Sequence, residues 1–266
     1  MRTRKLPIGC CAGPADLAVL QATPGLDFIE LPVAKGLIGG ADEFEQLGAA
    51  LQHSKLAARA VNVFLPATLK VVGPDVREDQ LSYYASTALE RARRLGVALL
   101  VFGSGASRMV PVGFSRDRAL EQFADAVRMV NGQASRRSVT VAVEPLHSEE
   151  TNILNTVGEA AEFLRHRRLD GVKLVADLWH MESEGERLDV LDDLGDVVAH
   201  AHVAADERRA PGRVADRIEE FLRRLRQAGY SGACSIECRW LDIAAELPGA
   251  VARVREAATA AGWSAA

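Results

Sequence analysis

Four polar residues in the second half of the chain lie at or near the carboxyl ends of predicted β-strands: Glu144, Asp177, His202 and Glu237. The first follows the apolar run VTVAV, and Pro145 then ends the strand because proline cannot donate to a strand ladder. A carboxylate at the end of a buried strand is costly unless water, a partner charge or a metal ion compensates it. Three carboxylates and one imidazole form a hard donor set. It favours Mn²⁺, with Mg²⁺ or Co²⁺ as alternatives, over structural zinc.

Each of these residues also has an explanation that involves no metal. A strand-end Glu or Asp is often a solvated residue at the rim or a helix cap. His202 shares a strand face with His200 in AHAHVA, and a hydrogen-bonded core histidine is the usual interpretation of such a residue. The occurrence of such residues on four consecutive predicted strands favours a shared site.

Four further polar residues follow those strand ends in predicted loops: His147, Glu150, His180 and Arg208. His180 completes a D-x-x-H pattern that begins at the strand-six aspartate. Loops at the carboxyl ends of strands carry the active sites of barrel enzymes, so these residues are candidates for contacts with a substrate. A loop histidine or a solvated charge is the alternative for each.

A set of this kind needs a scaffold that brings strand ends together. Strand-like segments alternate with amphipathic segments from end to end, at residues 6–11, 27–31, 59–65, 97–102, 139–144, 172–177, 197–203 and 232–238. This alternation predicts an α/β fold, a (β/α)8 TIM barrel that forms one domain over residues 1–266. A doubly wound open sheet is the structural alternative. No G-x-G-x-x-G pattern supports a dinucleotide site.

Helical periodicity predicts helices between these strands, at about 13–21, 42–53, 75–95, 116–135, 156–168, 187–194, 214–228 and 244–261. Ser115 is a predicted N-cap, and Thr156 with Glu159 forms a predicted capping box.

Charge and composition restrict the partners. The 266 residues carry a net charge of −4, which argues against non-specific binding to nucleic acid or to a membrane surface. The sequence has no apolar run of signal-sequence or membrane-span length, so we expect a cytoplasmic protein. The four cysteines, Cys10, Cys11, Cys234 and Cys238, are interpreted as reduced thiols, because no second Cys/His pair completes a zinc site.

Over residues 95–240, the motifs around these positions resemble those of a known superfamily. The stretches EPLHSEETNILNT, ADLWHM, HVAADERRAPG and SIECRW resemble motifs of the xylose isomerase-like barrels, in particular of the sugar phosphate isomerase/epimerase branch with its ketose 3-epimerases. The resemblance implies that Glu144, Asp177, His202 and Glu237 hold a divalent metal. It also implies that the two glutamates transfer protons and that Glu150, His180 and Arg208 contact substrate oxygens.

One departure from the motif concerns the substrate. Where the family commonly has Asn-Arg after E-P-L, this chain has His147-Ser148. His147 is therefore counted among the predicted substrate-binding residues, and it could supply an additional acid or base for an elimination.

The predicted function is that of a metal-dependent sugar or sugar phosphate isomerase or epimerase. A proton next to a carbonyl would be removed through a metal-stabilised enediolate, with Glu144 and Glu237 as the acid–base pair. The resemblance makes a homodimer or homotetramer possible. A lyase or dehydratase on the same scaffold, similar to inosose dehydratases or cleaving keto-glycosides, is the first alternative. A non-catalytic metal- or sugar-binding protein is the second.

Two other classes find less support. An endonuclease IV-like repair enzyme needs additional metal-binding histidines at the ends of strands three and four, where this chain reads NVFLP and VFGSG. A Schiff-base aldolase needs a strand lysine that faces the mouth, whereas Lys173 lies at the opposite end of its strand.

Overall fold

A computed structural model describes residues 4–212 and 216–264. The sheet is a closed barrel in which every strand is parallel to its neighbours in chain order and the first strand pairs with the eighth. The strands are β1 Ile8–Cys11, β2 Phe28–Pro32, β3 Ala57–Asn62, β4 Leu99–Phe102, β5 Thr140–Val143, β6 Lys173–Asp177, β7 Val198–Val203 and β8 Ala233–Ile236. The predicted (β/α)8 TIM barrel is confirmed, and the open sheet is excluded.

Helices cover the outside of this barrel. They are α1 Leu17–Ala22, α2 Ala41–Gln52, α3 Glu78–Arg94, α4 Arg116–Ser135, α5 Val157–His166, α6 Leu178–Ser183, α7 Ile218–Gln227 and α8 Ile243–Ala260. Both predicted N-cap residues are confirmed, because the Ser115 hydroxyl accepts from the N–H of Arg118 and the Thr156 hydroxyl accepts from the N–H of Glu159. The second half of the predicted capping box differs, because the Glu159 side chain accepts from the N–H of Asn155 and not from that of Thr156. Among these helices, none is long and apolar enough to cross a membrane.

The structure differs from the predicted elements in several places, of which the following are the largest. The strand expected over residues 59–65 ends at Asn62, because Val63 has a φ of 44° and leaves the extended conformation. The short helix α6 was not predicted. The helix expected over residues 187–194 is a short 3₁₀ helix, Leu188–Asp193, and the start of the helix expected from residue 214 lies outside the described residues.

Strand alternation places the polar residues inside the barrel. The side chains of Val101, Ala142 and Val175 form a small apolar cluster, separate from the main core between sheet and helices. Side chains two residues apart point to the same face of a strand. Since Val175 points into the barrel, Asp177 also points inward, at the mouth. The interior is therefore apolar around this cluster, whereas Glu30, His200 and Ser235 form a buried polar group in another part of it.

Candidate active site

The four predicted metal ligands lie together at the carboxyl end of the barrel. One ligand atom from each of Glu144, Asp177, His202 and Glu237 lies within 4.8 Å of the others. The Nδ1 atom of His202 lies 2.8 Å from Glu144 Oε1, 3.4 Å from Glu237 Oε2 and 3.8 Å from Asp177 Oδ2. The imidazole therefore presents one ring nitrogen to three carboxylates.

Helix α6 fixes the orientation of the Asp177 carboxylate. Its Oδ1 atom caps the helix by accepting hydrogen bonds from the N–H groups of Trp179 and His180, at 2.8 and 3.3 Å. The Oδ2 atom is buried and accepts no hydrogen bond among the described residues. A buried carboxylate oxygen without a partner is costly, and a cation at the centre of the cluster would satisfy it.

The carboxylates around His202 give the cluster the negative charge that a cation site needs. Burial alone would lower the pKa of His202, but the carboxylates of Glu30, Glu237 and Glu144 hold that pKa well above its usual range. Burial and the charge of Glu237 raise the pKa of Asp177 to about 6. Excess negative charge, one unpartnered carboxylate oxygen and a donor set of three carboxylates and one imidazole together fit a divalent metal ion.

Glu30, the central residue of β2, lies beneath this cluster in the barrel interior and was not assigned a role from the sequence. Its side chain is fully buried and lies 3.0 Å from His202 Nε2 and 2.7 Å from His200 Nε2. The Ser235 hydroxyl donates to it at 2.6 Å. Burial would raise the pKa of Glu30, but the two histidines hold it well below its usual value. A carboxylate that accepts the Nε2 proton of His202 leaves the Nδ1 lone pair free for a metal.

The two glutamates predicted as the acid–base pair have opposite environments. Burial raises the pKa of Glu144. Burial would also raise that of Glu237, but His202 and Arg208 lower it well below its usual range. The Oε1 atom of Glu237 accepts from the Asn62 amide at 2.9 Å, and its Oε2 atom accepts from Arg208 Nη2 at 2.8 Å. Asn62 is a second residue that the sequence interpretation missed.

The predicted substrate-binding residues surround the same mouth. Arg208 bridges the carboxylates of Glu150 and Glu237, and its guanidinium lies 4.9 Å from the ring centre of Trp179. His147 is 8% exposed, and both its main-chain N–H and its Nδ1 atom lie 3.1 Å from His180 Nδ1.

His180 presents its other ring nitrogen to the site. Its Nε2 atom is buried without a hydrogen-bond partner among the described residues, and it lies 3.8 Å from Asp177 Oδ2. Burial lowers the pKa of His180 to about 4, so the imidazole is neutral near pH 7.

Arg108 holds the main chain at Glu144, which directly follows β5. It is fully buried, donates from Nη2 to the main-chain oxygen of Glu144 at 2.7 Å, and lies over the ring of Phe123. Burial lowers the pKa of Arg108 to about 10, a value that still leaves it charged at neutral pH. Nothing in the residue pattern indicated this contact, since Arg108 lies in a glycine-containing loop with other polar residues.

The fold and the site define a TIM barrel with a candidate metal centre at its catalytic end. A family model described as a xylose isomerase-like TIM barrel matches residues 18–263. The chain therefore belongs to the xylose isomerase-like TIM barrel family, which confirms the resemblance seen in the sequence.

Characterised relatives match parts of the chain. It is 29% identical over 126 residues to the 3-dehydro-D-guloside 4-epimerase of Escherichia coli (strain K12), covering 47% of this chain and 48% of the relative. It is 26% identical over 169 residues to the D-psicose 3-epimerase of Ruminiclostridium cellulolyticum, covering 62% and 57%. The matched region thus spans about half the length of these relatives.

A solved structure matches over almost the whole chain. The E. coli 3-keto-D-glucoside 4-epimerase, in its apo form, superposes with a TM-score of 0.81 at 21% identity, covering 95% of this chain and 100% of that structure. Likeness at this level of identity shows the shared fold.

Proposed function

We propose that this protein is a metal-dependent sugar epimerase or isomerase that moves a proton at a carbon next to a carbonyl. The observation that carries the proposal is the pairing of Glu144 and Glu237. One carboxylate oxygen of each lies within 4.8 Å of the other around one imidazole nitrogen at the carboxyl end of the barrel. Two carboxylates placed at one substrate carbon can act as the acid and the base of one reaction. The epimerase activities named for two relatives support the same class.

The metal ligands would be Glu144, Asp177, His202 and Glu237. A divalent ion held there would supply a Lewis acid that polarises a substrate carbonyl and stabilises negative charge on its oxygen. We infer Mn²⁺ as the resident ion from the oxygen-rich donor set, with Mg²⁺ or Co²⁺ as alternatives. Metal analysis of the purified protein tests this assignment.

The chain's own residues would carry the proton. One of the two glutamates removes it from one face of the substrate carbon, and the other returns a proton to the opposite face, which inverts the configuration. Arg208, His180 and Glu150 lie around the same mouth, where they can hold substrate oxygens in the reactive orientation.

Hydrogen exchange with solvent tests the proton transfer. Ketoses incubated with the manganese-loaded protein in D₂O should gain deuterium at the carbon next to the carbonyl. Glu144→Gln and Glu237→Gln should each abolish that gain. The matched control is Glu256→Gln on α8, whose side chain is 77% exposed. Undiminished exchange in both site variants would contradict the proposal.

A lyase or dehydratase is the second candidate, and the position of His147 favours it. This buried histidine lies beside His180 at the edge of the site, where an additional acid or base could protonate a leaving group. The mass of the product separates the two reactions, because an epimerase conserves the mass of its substrate and an elimination loses a leaving group.

A further inference from the structure

A second group of possible metal ligands lies beside the candidate metal site. His147, Glu150 and His180 each place one ligand atom within 4.8 Å of the others, and none of the three belongs to the first group. The Nδ1 atom of His147 lies 3.1 Å from His180 Nδ1 and 3.8 Å from Glu150 Oε1. Two imidazoles and one carboxylate, from the loop after β5 and from α6, therefore converge. We call these three residues the two-histidine site.

The distances between these atoms fit a tetrahedral zinc site. Zinc binds nitrogen and carboxylate oxygen at about 2.0–2.2 Å, so two of its ligand atoms are about 3.3–3.6 Å apart. The distances from His147 Nδ1, 3.1 and 3.8 Å, lie on either side of this range. Small side-chain rotations would therefore bring the three atoms onto one ion.

The second ring nitrogen of each histidine faces a carboxylate. His147 Nε2 lies 3.7 Å from Glu149 Oε2, and His180 Nε2 lies 3.8 Å from Asp177 Oδ2. Ligating histidines usually direct their second N–H at such a carboxylate, which leaves the first nitrogen free for the metal. His180 Nε2 and Asp177 Oδ2 are both buried without a hydrogen-bond partner among the described residues. The hydrogen bonds of the metal-free arrangement are therefore incomplete.

One hydrogen bond would be exchanged for the ion. The main-chain N–H of His147 donates to His180 Nδ1 at 3.1 Å, and this nitrogen lone pair would go to the metal. The net contribution of a single hydrogen bond is far smaller than the binding energy of a zinc ion held by several ligands. The exchange therefore favours the ion.

The charges around the two-histidine site attract a cation. Carboxylates of Glu149, Glu150 and Asp177 lie within 3.8 Å of its ring nitrogens. Arg208 opposes them, but its charge is shared between Glu150 and Glu237, at 3.1 and 2.8 Å. The surrounding negative charge therefore exceeds the positive charge.

The donor types separate this site from the first one. Two imidazoles and one carboxylate form a borderline donor set that suits zinc, whereas three carboxylates and one imidazole suit a harder ion such as Mn²⁺. The resembling family motif has asparagine where this chain has His147. The additional imidazole is therefore a feature of this chain and not of the motif.

We propose that His147, His180 and Glu150 form a second metal site, which binds zinc next to the candidate catalytic metal. An ion there would withdraw His180 and Glu150 from the substrate oxygens that they would otherwise hold. Zinc at this site would therefore inhibit the enzyme, and this consequence rests on the proposed epimerase function.

Metal analysis tests the site without reference to activity. Metal-free protein titrated with zinc and passed through gel filtration should retain two ions per chain, one in each site. His147→Asn and Glu150→Gln should each retain one, and that ion shows that the variant is folded. The matched control is His166→Asn at the exposed end of α5, which should retain two. One ion in the parent protein, or two in His147→Asn, would overturn the second site.

Solvent exchange tests the inhibition. Zinc added to the manganese-loaded protein should slow deuterium uptake by a ketose at least about tenfold more in the parent than in His147→Asn, because two positioning residues are lost. Each rate is compared with that of the same protein without zinc. An equal loss in both proteins would mean that zinc only displaces manganese, which overturns the inhibitory role.

The outcomes separate this inference from the proposed function. If the parent retains two zinc ions and His147→Asn retains one, but no ketose exchanges a proton with D₂O even without zinc, the second site is supported and the epimerase function fails. If exchange occurs but the parent retains one ion, the epimerase function stands and the second site is overturned.

Discussion

Glu30 Oε1 lies 3.0 Å from His202 Nε2, a contact between residues 172 positions apart in the sequence. It joins β2 to β7 across the interior of the barrel and determines which nitrogen of the imidazole faces the three carboxylates of the candidate metal site. Carboxylates that bind a ligating histidine in this way fix its tautomer and orientation.

Replacement of Glu30 by glutamine should weaken metal binding about 10- to 100-fold, the usual cost of losing such a supporting carboxylate. The amide can present an N–H to His202, which would favour the wrong tautomer. Competition against a chromophoric chelator measures the affinity for Mn²⁺. Glu256→Gln, the same change at an exposed position on α8, should leave the affinity unchanged. An unaltered affinity in Glu30→Gln would show that Glu30 only contributes to packing.

Removal of the metal should lower the melting temperature, because the buried carboxylates around His202 then repel one another. Saturating Mn²⁺ at about 100 times its dissociation constant should restore about 2.7 kcal/mol of stability. Asp177→Asn should lose most of this gain. Its side-chain oxygen can still cap α6, so the variant should remain folded. Calorimetric melts with and without Mn²⁺ check the prediction, and an equal metal-induced shift in Asp177→Asn would remove Asp177 from the ligand set.

His147→Asn should retain activity within about twofold, whereas His147→Ala should lose about fivefold in kcat/KM, because a hydrogen bond to His180 is worth roughly 1 kcal/mol. The asparagine amide can reach toward His180 Nδ1, which lies 3.1 Å from His147 Nδ1. The measurement is steady-state epimerisation combined with product mass. If His147→Asn stops the loss of a leaving group but not the solvent exchange, His147 is the acid or base of an elimination.

Asp27 should stabilise the protein at neutral pH and lose that effect in acid. It pairs with Lys5 at 2.6 Å and also with Arg255 of α8. Burial would raise the pKa of Asp27, but these cations and the main-chain N–H of Ile8 lower it below its usual value. The stabilisation is therefore complete above the unfolded-state pKa of about 3.9, and it disappears as the pH falls through the lower folded-state pKa.

Asp27→Asn should accordingly cost about 1 kcal/mol at pH 7 and progressively less below pH 4, since the group is partly exposed. Urea unfolding over this pH range measures the difference. Asp125→Asn removes an exposed pair with Arg128 on α4 and should cost less than about 0.5 kcal/mol at any pH. A cost for Asp27→Asn that does not change with pH would contradict the ion-pair explanation.

The sequence predicted the barrel and the close placement of Glu144, Asp177, His202 and Glu237, because strand alternation fixes which ends converge. It did not identify Glu30, although DFIEL also places an acid within a buried strand. That residue gains its role only when closure of the barrel brings β2 toward β7. The positive φ of Val63 could not be predicted either, since valine is not a residue that indicates a turn.

The candidate metal ligands and the loops after β3 and β4 lie in different halves of the barrel, and this separation has a consequence for the evolution of substrate specificity. The candidate ligands lie on or directly after β5, β6, β7 and β8, whereas the loops after β3 and β4, which line the same cavity at residues such as Val63 and Ala106, belong to the first half. Recombination or directed evolution of residues 63–67 and 104–107 can therefore alter which molecules are accepted without touching the groups that would move the proton. A library of variants at these nine positions could be screened for new substrate specificities, and every variant in it would keep the four candidate metal ligands unchanged.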